Sequence, residues 1–287
     1  MGPALGKPSR PEARLSPQAL AAQRRDTREG LDWLGRTPEV RASLLSRVVR
    51  IFARLVLFGI FRFRIIASGR EHIPAGGYLL VGAAHRGWMD PFLVLQALPS
   101  EPRAWFLGSA ASAFDRRWKE WLLHRLGGML PVWRGGVNVD QHVASAEAVL
   151  QAGGVFVLFP EGGVAGPPDD ISAFRVGAAL IALRTDAPIL PFVMAGSQEL
   201  YLGRRMATKI LAPTTARSLL GESADAARPA PGTREELVLA RLLTDRFEHL
   251  LGPEVRALAA TVAEPPGRRH RWRGLTWLLL RRPAKRR

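Results

Sequence analysis

Three continuous apolar runs, at 78–82, 155–159 and 189–194, mark the middle of this chain. Runs of that length without polar alternation are what strands buried on both faces leave in a sequence. Between them the spacing predicts helices over 91–98, 116–126, 139–151 and 177–184, the third closed by Gly153-Gly154. Shorter strand signals fall at 104–107 and 129–133, and Phe61-Arg62-Phe63-Arg64-Ile65 alternates with period two, as a half-exposed strand does. Strand and helix in alternation predict an α/β fold, a mixed, largely parallel sheet flanked by helices. Beyond residue 200 the pattern weakens: 219–234 reads as a loop or linker rich in Ala, Pro, Gly and charge, and 235–251 as an amphipathic helix. No internal repeat is apparent.

Ahead of the sheet, the pattern predicts an amphipathic helix over 43–58. Arg47, Arg50 and Arg54 recur at steps of three and four on one face, and Leu44, Leu45, Val48, Ile51, Phe52, Leu55 and Phe58 fill the other. The longest charge-free stretch, 55–61, is far short of the roughly 18 apolar residues that cross a bilayer. Such a helix is expected to lie in a membrane interface, at the cytoplasmic face of the cell membrane, as a peripheral or monotopic anchor. The competing reading packs it on the protein's own core with the arginines in solvent. The stretch 270–282 repeats the theme, with arginines and Trp272 and Trp277 bordering a leucine run and a basic tail behind it.

Charge sharpens this picture. Lys and Arg total 41 against 25 Asp and Glu, a formal charge of +16, so the partner is polyanionic. Zinc-ligand spacing and RNA-recognition motifs are absent from the sequence, and the basic residues cluster near the ends beside leucine and phenylalanine. An anionic membrane surface is therefore the expected partner, and no nucleic acid. Residues 1–36 are polar and read as a disordered segment, neither a secretory signal nor a folded unit. With no cysteine, disulfides and a thiolate nucleophile are excluded.

Candidate chemistry begins at Ala84-His85-Arg86-Gly87-Trp88-Met89-Asp90-Pro91, just after the first apolar run. Positions five apart on one helix diverge by roughly 140°, so His85 and Asp90 meet only across a turn. Pro91 fits the first helical position, which makes Asp90 the expected N-cap, and Gly87 loosens the turn between them. An aspartate there can hold one imidazole nitrogen and leave the other as a general base. His85 and Glu161 both fall past the carboxyl ends of their strands, where open α/β sheets bind ligands.

Three further blocks follow in order: Gly127-Gly128-Met129-Leu130-Pro131-Val132-Trp133-Arg134-Gly135, Phe159-Pro160-Glu161-Gly162-Gly163, and Pro188-Ile189-Leu190-Pro191. Together with His85-x4-Asp90 they resemble the four motifs of the glycerolipid acyltransferase superfamily, over about residues 60 to 200. The expected domain layout is a 37–60 interfacial helix and a 216–287 linker, helix and basic amphipathic tail, read from their own patterns, around the 61–215 acyltransferase domain that the resemblance implies. The resemblance also implies transfer of a fatty acyl group from acyl-CoA or acyl carrier protein to a lysolipid hydroxyl in phospholipid biosynthesis, 1-acyl-glycerol-3-phosphate first among acceptors, with no cofactor and no metal. His85 would take the acceptor proton and Asp90 would steady the imidazolium; lacking a Gly-x-Ser-x-Gly elbow and any cysteine, the sequence favours direct transfer. Arg134 would grip a phosphate on the acceptor, with Arg175 as a second cation. Glu161 would either bind the acceptor hydroxyl or anchor its turn, which Gly162 shapes and places beside substrate. Departures from the family pattern are Ala84 for Asn, Arg86-Gly87-Trp88 for small polar residues, and Gly163-Val164 for Thr-Arg. The last leaves open another lipid acceptor, or a catalytically silent lipid-binding relative.

Overall fold

The computed structural model describes residues 38–109, 121–122, 128–132, 139–164, 166–223 and 226–264. Among them, β1 (Arg64–Ser68), β2 (Tyr78–Ala83), β3 (Ala104–Ser109), β4 (Gly128–Val132), β5 (Val155–Leu158), β6 (Ile189–Ala195) and β7 (Arg205–Ile210) form one sheet. Its order is β1-β7-β6-β2-β5-β3-β4. All neighbours pair in parallel except β6 and β7. Strands β2, β5 and β6, the three apolar runs, sit side by side and are buried along their whole lengths. Burial on both faces is why they lack alternation.

Among the described residues the α-helices are α1 (Leu44–Arg54), α2 (Asp90–Ala97), α3 (Val139–Gln151), α4 (Gly177–Thr185), α5 (Ala216–Leu220) and α6 (Arg234–Val262). One core unites Tyr78 and Leu80 of β2, Leu190, Phe192 and Met194 of β6, and Met206 and Ile210 of β7 with Met89, Leu93 and Val94 from the α2 segment. On the other face α6 packs against β6 and β7. The start of α6 is fixed by Thr233, whose side chain accepts from the Glu236 backbone N–H, and by Arg184, which donates to both oxygens of Glu236 at 2.6 and 2.8 Å. That pairing holds the Glu236 carboxyl below its usual range.

Several expectations shift. The period-two signal at 61–65 is displaced: the strand is Arg64–Ser68, and Phe63 before it turns into the core. Asp90 is the first helical residue of α2 rather than its N-cap; that position falls to Met89, and the Asp90 carboxylate serves the preceding turn. The helix expected to stop at 251 runs through Pro253 to Val262. A Cβ at Gly252 would meet Ile171 at 3.3 Å, so the helix runs close under that side chain, a tertiary contact the local pattern does not carry. β7 lies where the periodicity faded, and α5 adjoins the stretch read as linker. The expectations for 1–36, for most of 116–126 and for 270–287 lie outside the described residues.

The N-terminal helix turns its faces opposite to a helix packed on a core. Arg47 donates to Glu101 at 2.5 Å, and Arg50 donates to the carbonyls of Leu95, Leu98 and Pro99 at the end of α2. The arginine side therefore faces the domain. Leu44, Val48, Ile51, Phe52 and Leu55 are exposed, Phe52 at 66% and Ile51 at 58%. A π-helical stretch, Leu55–Ile60, leads to β1 and buries Leu57 against the core. Among the described residues no helix is long and apolar enough to cross a membrane.

Candidate active site

Strands β2 and β5 are neighbours, so the loops leaving their carboxyl ends lie side by side. Gly82 in β2 has no side chain, and the Phe159 ring lies over it; a Cβ there would come within 2.9 Å of that ring. His85 stacks on Phe159 with ring centroids 4.3 Å apart. One loop thus supplies a platform for the imidazole of the other.

His85 and Asp90 meet across the turn. His85 Nδ1 lies 2.7 Å from Asp90 Oδ2, and the same oxygen accepts from the backbone N–H groups of Arg86 at 2.5 Å and Gly87 at 2.8 Å. Asp90 is fully buried, while the His85 side chain keeps 18% of its surface. An aspartate that accepts from Nδ1–H leaves Nε2 with its lone pair for a substrate proton. Among the described residues no group bonds to Nε2.

Glu161 settles between its two expected roles by geometry. Its Oε1 accepts from the His85 backbone N–H at 2.7 Å, and Oε2 accepts from Arg86 at 2.6 Å and from the Ser172 backbone N–H at 2.8 Å. Its side chain is wholly buried. It anchors the loops, one of the two roles expected for it above. Gly162 holds φ at 64°, and a side chain there would strike the Arg175 Cδ and Nε at 2.5 and 2.6 Å. Its role is to admit Arg175 to this turn. The Arg175 backbone N–H donates to Pro160 at 2.8 Å, and its side chain is exposed with no carboxylate partner among the described residues. Arg134 lies outside the described residues.

The sequence reading missed Arg86. Its guanidinium is 3% exposed and donates to the carbonyls of His85, Pro167 and Asp170 and to Glu161. It ties the catalytic turn to the 161–172 loop. The signal was present as a departure from the small polar residues usual there, but nothing local revealed what it bonds. Ser197, whose carbonyl lies against Gly87, was also missed; its Oγ is buried without a partner among the described residues. The backbone N–H groups of residues 85 to 87 are all engaged by Glu161 and Asp90, so donors for an oxyanion must come from elsewhere. Among the described residues no cluster of three His, Asp or Glu could hold a metal ion.

Residues 64–195 match the family model described as Acyltransferase. Uncharacterized proteins of Mycobacterium tuberculosis and Mycobacterium bovis are 29% identical over 186 residues, 60% of this chain and 46% of theirs, so the chain spans about half the length of the curated relatives it matches. The crystal structure of the 1-acyl-sn-glycerophosphate (LPA) acyltransferase PlsC from Thermotoga maritima superposes with a TM-score of 0.47 at 19% identity, covering 72% of this chain and 79% of that one. Residues 64–195, from β1 through β6 with the His85–Asp90 turn among them, are thus similar to the acyltransferase family, in line with the glycerolipid acyltransferase superfamily that the four sequence blocks resemble.

Proposed function

We propose that this protein transfers a fatty acyl group from an acyl thioester to a hydroxyl of a lysophospholipid at a membrane surface, with 1-acyl-glycerol-3-phosphate the leading acceptor. The observation that carries the reading is the His85–Asp90 pair at 2.7 Å with Nε2 open, on a family domain whose reaction is acyl transfer. Nε2 takes the proton from the acceptor hydroxyl as its oxygen attacks the thioester carbonyl. Asp90 stabilises the imidazolium, and the proton passes to the departing thiolate as the carbon–sulfur bond breaks. Arg175, beside Gly162 in the same turn, supplies the cation that Gly163-Val164 removes from the usual pattern, and it meets the acceptor phosphate.

The test is acyl transfer by the purified chain in mixed micelles, with acyl-CoA and acyl carrier protein offered against a panel of lysolipids. Transfer to lysophosphatidic acid is expected, with Arg175→Ala raising KM for that acceptor by roughly tenfold and leaving an uncharged monoacylglycerol unaffected. Transfer only to acceptors without phosphate would remove both the acceptor and the role of Arg175. No transfer to any acceptor by a folded chain would leave the silent lipid-binding alternative.

Membrane docking through α1 belongs to the same proposal, with one revision to the expected physics. Because Arg47 and Arg50 are spent on the domain, the helix offers the bilayer its apolar row rather than its charge. Burying a Phe or Ile side chain contributes roughly 1.5–3 kcal/mol. Phe52→Glu with Ile51→Glu is therefore expected to cut partitioning onto neutral phosphatidylcholine vesicles by at least ~100-fold in a sedimentation assay. Undiminished binding by the double variant would place the anchor elsewhere.

A further inference from the structure

A second cationic feature, used by none of the chemistry above, lies on the edge of the sheet that carries the active site. A pocket of about 370 Å³ is lined by Arg62, Arg64, Tyr201, Leu202, Gly203, Arg205 and Glu264. Strand β6 runs parallel to β2 and β7 runs against β6, so the start of β7 lies level with the carboxyl ends of β2 and β6. β1 pairs in parallel with β7, and Arg64 stands directly opposite Arg205. Arg62 joins them two residues upstream, from a backbone at φ 54° that non-glycine residues rarely adopt.

Like charges opposite each other on paired strands repel. Among the described residues no ion pair joins a carboxylate to Arg62, Arg64 or Arg205, and the nearby Glu199 and Asp169 act on the neighbouring Arg204. The one acid in the lining, Glu264, is held at 3.3 Å by a different arginine, the buried Arg204, which also donates to the Tyr201 hydroxyl and the Gly196 carbonyl. The pocket is thus cationic, open and framed by satisfied groups. Three guanidinium groups lining one pocket fit a phosphate, whose oxygens accept several such donors at once.

Position decides whose phosphate. Ile65 and Met206, each next in sequence to a pocket arginine, face the core that α2 and Leu57 cover, so Arg64 and Arg205 point to the opposite face, the one α6 packs on. That is not the side on which α1 bears its apolar row, which argues against a bilayer headgroup. The pocket strands lie two and three positions from β2, roughly 10–14 Å at the usual strand spacing. In a 1-acyl-glycerol-3-phosphate the phosphate is attached one carbon from the acylated position and cannot span that distance. The arm joining phosphate to sulfur in phosphopantetheine has thirteen bonds and reaches roughly 15 Å when extended like a peptide chain.

We propose that the Arg62–Arg64–Arg205 pocket binds the phosphate of the acyl donor's phosphopantetheine arm, the portion common to CoA and acyl carrier protein thioesters. This rests on the acyl-transfer reading. The first readout needs no turnover: calorimetric binding of 4′-phosphopantetheine and of phosphate-free pantetheine to the full chain and to Arg64→Gln/Arg205→Gln. The wild type is expected to prefer the phosphorylated arm, and the double variant to lower that preference by roughly tenfold or more. Both arginines are exposed, so thermal unfolding is expected to match the wild type, and Arg205→Lys should restore part of the preference. The second readout is kinetic: KM for acyl-CoA rises in the variant while KM for the lysolipid holds. An unchanged preference, an equal loss for both ligands, or a rise in the lysolipid KM instead would overturn the assignment. So would loss of binding to phosphatidylglycerol vesicles with the pantetheine preference intact. If the wild type transfers no acyl group to any acceptor yet prefers phosphopantetheine, the reaction is refuted and the pocket is not.

Discussion

Replacing His85 by alanine is expected to lower acyl transfer by roughly 10²–10⁴-fold, the usual worth of a positioned general base. The fold should persist, because the Asp90 carboxylate keeps its two backbone donors, Arg86 and Gly87, when the imidazole is removed. The measurement is kcat at saturating donor and acceptor, beside a thermal melt of the same preparation. Asp90→Asn is expected to be less clean. It removes the acceptor for Nδ1–H, so the histidine loses its tautomer, and it also weakens the turn that the same oxygen closes. A His85→Ala variant within tenfold of the wild type would mean that the acceptor loses its proton to another group, and the mechanism would fail at its first step.

Arg86→Ala is expected to produce the largest loss of stability, about 3–5 kcal/mol, because it strands the buried Glu161 carboxylate without its cation. The loss has a second part. Arg86 also satisfies the carbonyls of Pro167 and Asp170, so the 161–172 loop is released from the catalytic turn. Activity should fall further than unfolding accounts for, since Glu161 positions the His85 backbone through a bond of 2.7 Å. Glu161→Gln keeps an acceptor for that N–H and should cost less stability than Arg86→Ala. Chemical denaturation of the three proteins checks the order. Equal stability of Arg86→Ala and the wild type would show that the loop is held by other means.

Much of the frame was legible because it is local. The runs at 78–82, 155–159 and 189–194 became β2, β5 and β6, and the helix over 139–151 has the bounds its pattern predicts. Apolar periodicity reports burial residue by residue, so it suffices where an element packs as its sequence is written. It failed where a distant contact decides the outcome. α6 runs on through Gly252-Pro253, where the local pattern stops, and β7 is a strand because β6 and β1 flank it. On α1 the pattern specified two faces correctly, but only the carbonyls at the end of α2 reveal that the arginines look inward.

The same division runs through the site. By itself the sequence indicated that a histidine and an aspartate meet on one turn after a buried strand, although Pro91 did not make Asp90 the cap it suggested. It also determined that His85 and Glu161 occupy the ligand-binding edge of the sheet, because strand direction and loop position are properties of order along the chain. Only the tertiary structure decided that Glu161 is an anchor, that Arg86 joins two loops, and that Arg64 faces Arg205 across β1 and β7. Each of these depends on which strands are neighbours. Strand order is set by how the crossovers pack on the whole sheet, and no local run of residues carries it.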